Sequence, residues 1–150
     1  MSTSKHTVYR DLGTDYKGIK ACEETIPEIS KHEILIKIKA VSLNYRDILI
    51  ANGTYPIPFK KEVVPCADGA GEVVQVGCQV QNIKVGDHVV AIANITNQYG
   101  MITDLNNGLG ASLDGMLQQY KVIPADGVIK LPENTHISFA EAASLPTAGL

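Results

Sequence analysis

The sequence lacks most of the features that would assign it to a function class at a glance. Its three cysteines, Cys22, Cys66 and Cys78, are odd in number and stand 44 and 12 residues apart, a spacing that matches no C-x-x-C metal or redox motif. Reduced, mostly packed thiols are expected. The histidines His6, His32, His88 and His136 are scattered singly, none at ligand distance from a cysteine or another histidine, so no metal site is expected. No basic cluster exists either: 13 Lys and Arg against 16 Asp and Glu leave a formal charge of −3, and nucleic acid is not an expected partner. The longest apolar stretches, such as Val89-Val90-Ala91-Ile92-Ala93, are about a quarter of the roughly 20 residues a bilayer crossing needs. The opening Met1-Ser2-Thr3-Ser4-Lys5-His6 has no apolar signal core. These absences predict a soluble, cytoplasmic chain that does not associate with membranes.

What remains is a chain of 150 residues, 45% hydrophobic and 19% charged, enough to bury about 68–70% of its unfolded surface in one domain. Residues 31–39 alternate, with Ile34, Ile36 and Ile38 on one face and Lys37 and Lys39 on the other, the period of a half-buried strand. Short β-rich segments recur at 63–64, 71–76, 88–92, 116–123 and 128–131, separated by turn signals at Gly77, Gly86-Asp87 and Ala125-Asp126-Gly127. Many short strands at close spacing imply a barrel or sandwich. Helices are scarce. One is expected over 44–51, stopped by Asn52-Gly53. A second begins at the capping box Ser138-Phe139-Ala140-Glu141, is rich in alanine, and should break at Pro146. A chain that closes a helix and then stops reads as truncated. The long polar stretch over 94–112 is expected to be a loop at the rim of a binding site.

Several segments then carry a resemblance. Ser42-Leu43-Asn44-Tyr45-Arg46-Asp47, Val64-Pro65-Cys66-Ala67-Asp68-Gly69-Ala70-Gly71-Glu72-Val73-Val74 and Lys84-Val85-Gly86-Asp87-His88-Val89-Val90 are followed by Gly115-Met116-Leu117-Gln118-Gln119-Tyr120, Ile129-Lys130-Leu131-Pro132 and 142–150. In this order they resemble the N-terminal part of medium-chain dehydrogenases/reductases, within the branch of quinone oxidoreductase-like and zinc-type alcohol dehydrogenase-like proteins. The resemblance implies a mainly β fold: a GroES-like, partly open β-barrel with a few short helices over 1–137, then a linker helix over 138–150 leading into a Rossmann domain. Neither Gly69-Ala70-Gly71 nor Gly108-Leu109-Gly110 continues as G-x-G-x-x-G into a helix. Both read as tight turns or close-packed backbone, and the chain reads as truncated before the Rossmann domain.

The resemblance also implies a chemistry. Zinc-dependent relatives place a Cys where Asn44 stands, a His where Ala67 stands and a second Cys where Ala148 falls. An amide and two methyl groups cannot build a zinc shell, and a zinc-free enzyme is expected. The implied catalytic residues are Asn44, Tyr45 and Asp68. Those implied for NADP or NAD are Asn44, Tyr45, Arg46, Thr147 and Ala148, most of the cofactor being held by the Rossmann domain. Without a Lewis acid an isolated ketone is a hard target, so the expected substrate is a quinone, enone or related carbonyl whose developing charge hydrogen-bond donors can stabilise. Asn44 offers such donors without charge, or else simply caps the helix after it. Tyr45, with an ordinary pKa of about 10, is no base at neutral pH and is expected to position a ligand, or to pack half-buried. Asp68 lies in an apolar run and needs a partner, expected to be Arg46 or backbone amides, with Asp47 making a structural contact. Glu72 and Asp87 are expected at the surface or in turns. By the same resemblance the full-length protein is a homodimer. A non-enzymatic binding or scaffold module on the same barrel is the rival reading, because fold alone does not choose between them.

Overall fold

The computed structural model describes residues 4–95 and 108–148. Its organising strand is β3 (Glu33–Ser42), where Ile34 and Ile36 are buried and Lys37 and Lys39 face solvent. Leu35 is buried as well, so the alternation seen in the sequence holds only beyond the first turn of the pleat. Antiparallel neighbours flank β3: β4 (Asp68–Val76) on one side and β6 (Tyr120–Pro124) on the other. Beyond β4 lie β5 (His88–Ala91) and β7 (Val128–Lys130), giving the order β6-β3-β4-β5-β7. The core between them is Ile34, Ile36, Val73, Val89, Leu109, Met116 and Ile123. The protein is mainly β with a few short helices, as expected.

A separate ribbon, β1 (Lys5–Asp11) paired with β2 (Ile19–Thr25), was not legible in the sequence. Only His6 and Val8 of β1 are fully buried, so the ribbon carries almost no hydrophobic alternation. It is held by backbone hydrogen bonds, Tyr9 N–H to the Leu117 carbonyl and Gln119 N–H to the Thr7 carbonyl, and by charge. Arg10 binds the Glu24 carboxylate, lies 3.2 Å from Asp114 and donates to the Glu62 carbonyl. Asp114 also takes Lys60 at 2.8 Å and the Val64 amide at 3.1 Å. Lys121 donates to the Asp114 carbonyl at 2.6 Å, and its burial, partly offset by the Asp114 charge, pushes its pKa down to about 8.

Some expected strands are loops. Val63 and Val64 are buried but bond to Asp11 N–H and Gly115 N–H rather than to a ladder, and 116–119 runs against the loop at 65–66 before β6 begins. The helix α1 (Tyr45–Ala51) forms as expected, with Gly53 behind it at φ +67°. The capping box starts α2 (Phe139–Ala143), where Glu141 accepts the Ser138 N–H at 2.8 Å and Ser138 Oγ accepts the Glu141 N–H. The break falls at Ser144, not Pro146; the proline sits in the opening turn of α3 (Leu145–Ala148), where its missing N–H costs no intrahelical bond. Asp87 is in a turn but buried, accepting the Lys84 amide and meeting Lys130 at 3.0 Å. Glu72 is half-buried beside Lys39. Cys66 alone of the thiols is buried; Cys78 is exposed. The expected rim loop lies mostly over 96–107, outside the described residues.

The glycines of β4 are close-packed strand rather than turns. A Cβ at Gly71 would stand 2.3 Å from the Lys37 carbonyl, whereas one at Gly86, at φ +89°, would meet open space. Gly71→Ala should therefore cost about 3 kcal/mol by overpacking and Gly86→Ala about 1 kcal/mol from its left-handed backbone, measured by urea unfolding. Lys121 binds its proton less tightly in the fold than in the unfolded chain. Between about pH 8 and 10.5 the unfolded state therefore carries more proton, and stability rises with pH. Lys121→Met should flatten that rise in denaturation curves taken at successive pH values.

Candidate active site

Two strand ends and one helix start build the site. Ser42, at the end of β3, pairs with Asp68, at the start of β4, so the chain leaving β3 turns into α1 directly over Asp68. Asn44 takes the extended backbone of an N-cap, φ −117° and ψ 157°, and Asp47 reaches back to accept its N–H at 2.8 Å. The Asn44 side chain reaches Asp68. Its Nδ2 donates to Asp68 Oδ2 at 2.9 Å, and the Thr147 hydroxyl, from α3, donates to Asp68 Oδ1 at 2.6 Å. Asp68 is 0% exposed. Three segments far apart in sequence are thus joined through one carboxylate.

The expectation that Arg46 partners Asp68 is corrected. Residues two apart at a helix start do not share a face, and Arg46 turns away from Asn44, donating from Nη2 to the Leu109 carbonyl at 3.1 Å with its guanidinium 5.7 Å from the Tyr55 ring centre. The Asp47 contact is structural, as expected. Burial pushes its carboxyl above the usual range, against the Asn44 amide and the Arg46 charge. Cys66, beneath these acids, has a left-handed backbone at φ +70°. Burial, reinforced by Asp47 and Asp68, pushes its thiol up to about 12; it is no nucleophile at neutral pH. Tyr45 does not pack half-buried. It is 74% exposed, Leu43, Ile48 and Leu145 are exposed too, and so are Thr147 and Ala148.

Beside this cluster opens a cavity of about 610 Å³ whose wall includes Arg46, Tyr55, Ile57, Val90, Ile129 and Leu145. Asn44 and Asp68 lie outside that wall. Its apolar members gave no signal in the sequence, because Tyr55 and Ile57 sit in an irregular stretch, Val90 and Ile129 read as ordinary strand residues and Leu145 as part of the C-terminal helix. Among the described residues, no group of three or more His, Cys, Asp and Glu could hold a metal ion, and no helix is long and apolar enough to cross a membrane.

Residues 30–133 match the alcohol dehydrogenase GroES-like domain. The chain belongs to that family. As a GroES-like domain of the medium-chain dehydrogenase/reductase type, it is 39% identical over 148 residues to a zinc-type alcohol dehydrogenase-like protein of Schizosaccharomyces pombe, covering 95% of this chain and 42% of the relative. It is 36% identical over 144 residues to a chloroplastic quinone-oxidoreductase of Triphysaria versicolor, covering 95% and 38%. The solved quinone oxidoreductase of Coxiella burnetii superposes with a TM-score of 0.71 at 27% identity, over 97% of this chain and 42% of that one. The GroES-like chain thus spans about two fifths of the length of these relatives.

Removing the Asp68 carboxylate would leave a buried gap and two part-buried donors, on Asn44 and Thr147, without their acceptor. Asp68→Ala should cost on the order of 3 kcal/mol and Thr147→Val about 1 kcal/mol, read from denaturant midpoints at constant slope. A loss under about 1 kcal/mol for Asp68→Ala would show that the carboxylate does not hold these segments together.

Proposed function

We propose that this chain is the substrate-side domain of an NAD(P)H-dependent, zinc-independent medium-chain reductase that acts on quinones, enones or related carbonyls. The observation that carries the reading is the Asp68 cluster. In the family pattern the positions of Asn44, Ala67 and Ala148 are those of zinc ligands, and here they offer an amide already donating to Asp68 and two methyl groups. Such a donor set does not fit Zn²⁺, which needs thiolate, imidazole or carboxylate lone pairs. No step is therefore assigned to a metal.

Relatives named as quinone oxidoreductases support the substrate class, and a cavity walled mainly by apolar side chains suits such molecules. When bound, the nicotinamide supplies the hydride. This chain's own residues orient and exclude water. Asp68 locks Asn44 and Thr147 in place. The exposed Tyr45, with Thr147 and Ala148, forms a face that would meet the cofactor, held chiefly by a Rossmann domain in the full-length protein. Arg46 belongs to the same proposed cofactor contacts. On this reading the GroES-like unit is inactive by itself, the working enzyme is a cytoplasmic homodimer, and neither nucleic acid nor membrane is a partner.

Purified full-length protein should oxidise NADH or NADPH in the presence of a quinone or enone and should hold substoichiometric zinc by elemental analysis. Absence of turnover with every quinone and enone tried would favour the rival binding module, and one tightly held zinc per chain would overturn the metal-free assignment.

A further inference from the structure

The β1–β2 ribbon docks on the sheet along a seam where β1 runs antiparallel to 117–120. Three of its bonds are between amides: Tyr9 N–H to the Leu117 carbonyl at 3.1 Å, Gln119 N–H to the Thr7 carbonyl at 3.0 Å, and Thr7 N–H to the Gln119 side-chain oxygen at 2.8 Å. Amides do not titrate near neutral pH. The bond at the end of the seam is of another kind. The Tyr120 N–H, at the start of β6, donates to Nδ1 of His6 at 3.3 Å, and the two rings meet edge to face with centres 6.1 Å apart. A main-chain N–H only donates, so Nδ1 must offer its lone pair. His6 is therefore the neutral tautomer that carries its proton on Nε2.

The surroundings keep it so. His6 is buried, and burial holds its pKa below the ordinary 6.5, an effect that the Glu24 charge offsets only in part. Glu24 is the register partner of His6 on β2, and Arg10 already occupies its carboxylate. Lys5, next to His6 on β1, is exposed and paired with Glu23, and Lys37, which faces Tyr120 from β3, is exposed as well. Protonating Nδ1 would set one N–H against another and place a charge in a buried ring, so two costs fall on the same bond. Both vanish once the seam opens and water solvates the imidazolium. The open form thus takes up a proton more readily, and below about pH 6.5 it gains on the closed form as the pH falls, until the closed form is protonated too.

We propose that His6 is an acid-sensitive latch: when neutral it clips the β1–β2 ribbon to β6, and when protonated at Nδ1 it releases that seam while the five-stranded sheet stays folded. Release would be felt at the candidate site. The Asp11 N–H holds the Val63 carbonyl at 3.1 Å and Arg10 holds the Glu62 carbonyl at 2.9 Å, and Val63 packs with Ile50 of α1. The seam is internal to the described residues, so the latch stands whether or not the full-length protein is a reductase.

Hydrogen–deuterium exchange of the full-length protein, read by mass spectrometry between about pH 5 and 7.5 and corrected for the intrinsic exchange rate at each pH, tests the latch. Peptides over 4–12 and 117–122 should gain up to about tenfold in exchange per pH unit below about 6.5, while peptides over 68–76 and 88–91 hold steady. His6→Asn places an oxygen acceptor near the position of Nδ1 and takes up no proton there; the seam should stay closed and its acid response should flatten. In ¹⁵N-histidine spectra of the unsubstituted protein at neutral pH, His6 should carry its proton on Nε2. That tautomer and the contrast between seam and sheet decide the matter even if His6→Asn does not fold. A proton on Nδ1 at neutral pH, seam exchange that is flat in acid, a sheet that opens in step with the seam, or an unchanged response in His6→Asn would overturn the proposal.

Discussion

A single buried carboxylate organises the junction of β3, β4, α1 and α3. Asp68 opens β4, and its two oxygens are taken by Asn44 from the start of α1 and Thr147 from α3. Both donors are neutral, so the carboxylate is held by hydrogen bonds rather than by an ion pair. Such an arrangement is directional: it fixes where the α1 cap sits, and with it which way Tyr45 and Arg46 face. The surrounding packing serves the same end. Glycine at 69 and 71 lets Met116 and the backbone of β3 approach β4 closely enough to seal Asp68 from water.

The consequence is a division of labour within one short segment. Asn44 points into the Asp68 cluster, Tyr45 points to solvent, Arg46 lines the apolar cavity and Asp47 folds back on the cap. Four consecutive residues thus serve four environments, which is possible because the first has extended backbone and the rest are helical, rotating by about 100° per residue. At this point amide, hydroxyl and carboxylate meet, and Arg46 lies in the wall of the neighbouring cavity.

The rest of the molecule is scaffold with its own logic. The five-stranded sheet has an apolar core and would be stable through burial, whereas the β1–β2 ribbon is tied down by backbone hydrogen bonds to 117–119 and by the charge cluster of Arg10, Glu24, Asp114, Lys60 and Lys121. That cluster also fixes the loop carrying Val63 and Val64, which packs with Ile50 of α1 in a small core of its own. The ribbon is therefore coupled to the helix that presents the site.

The amino-acid order by itself determined β3, the caps of α1 and α2, the glycine stop at Gly53 and the family pattern, because each is a local signal: alternation, a side chain reaching three residues on, a left-handed residue after a helix. It also marked Asp68 as a residue in need of a partner. It could not say which partner. Arg46 is the obvious cation by sequence, and only the strand register that sets Ser42 against Asp68, together with the path bringing Thr147 back across 79 residues, decided that the carboxylate would be satisfied by Asn44 and Thr147 instead. The same holds for the cavity, the buried state of Asp87 and the β1–β2 ribbon. Long-range contacts between segments with no distinctive periodicity leave no trace in the order of residues, since what places them is the close packing of everything else.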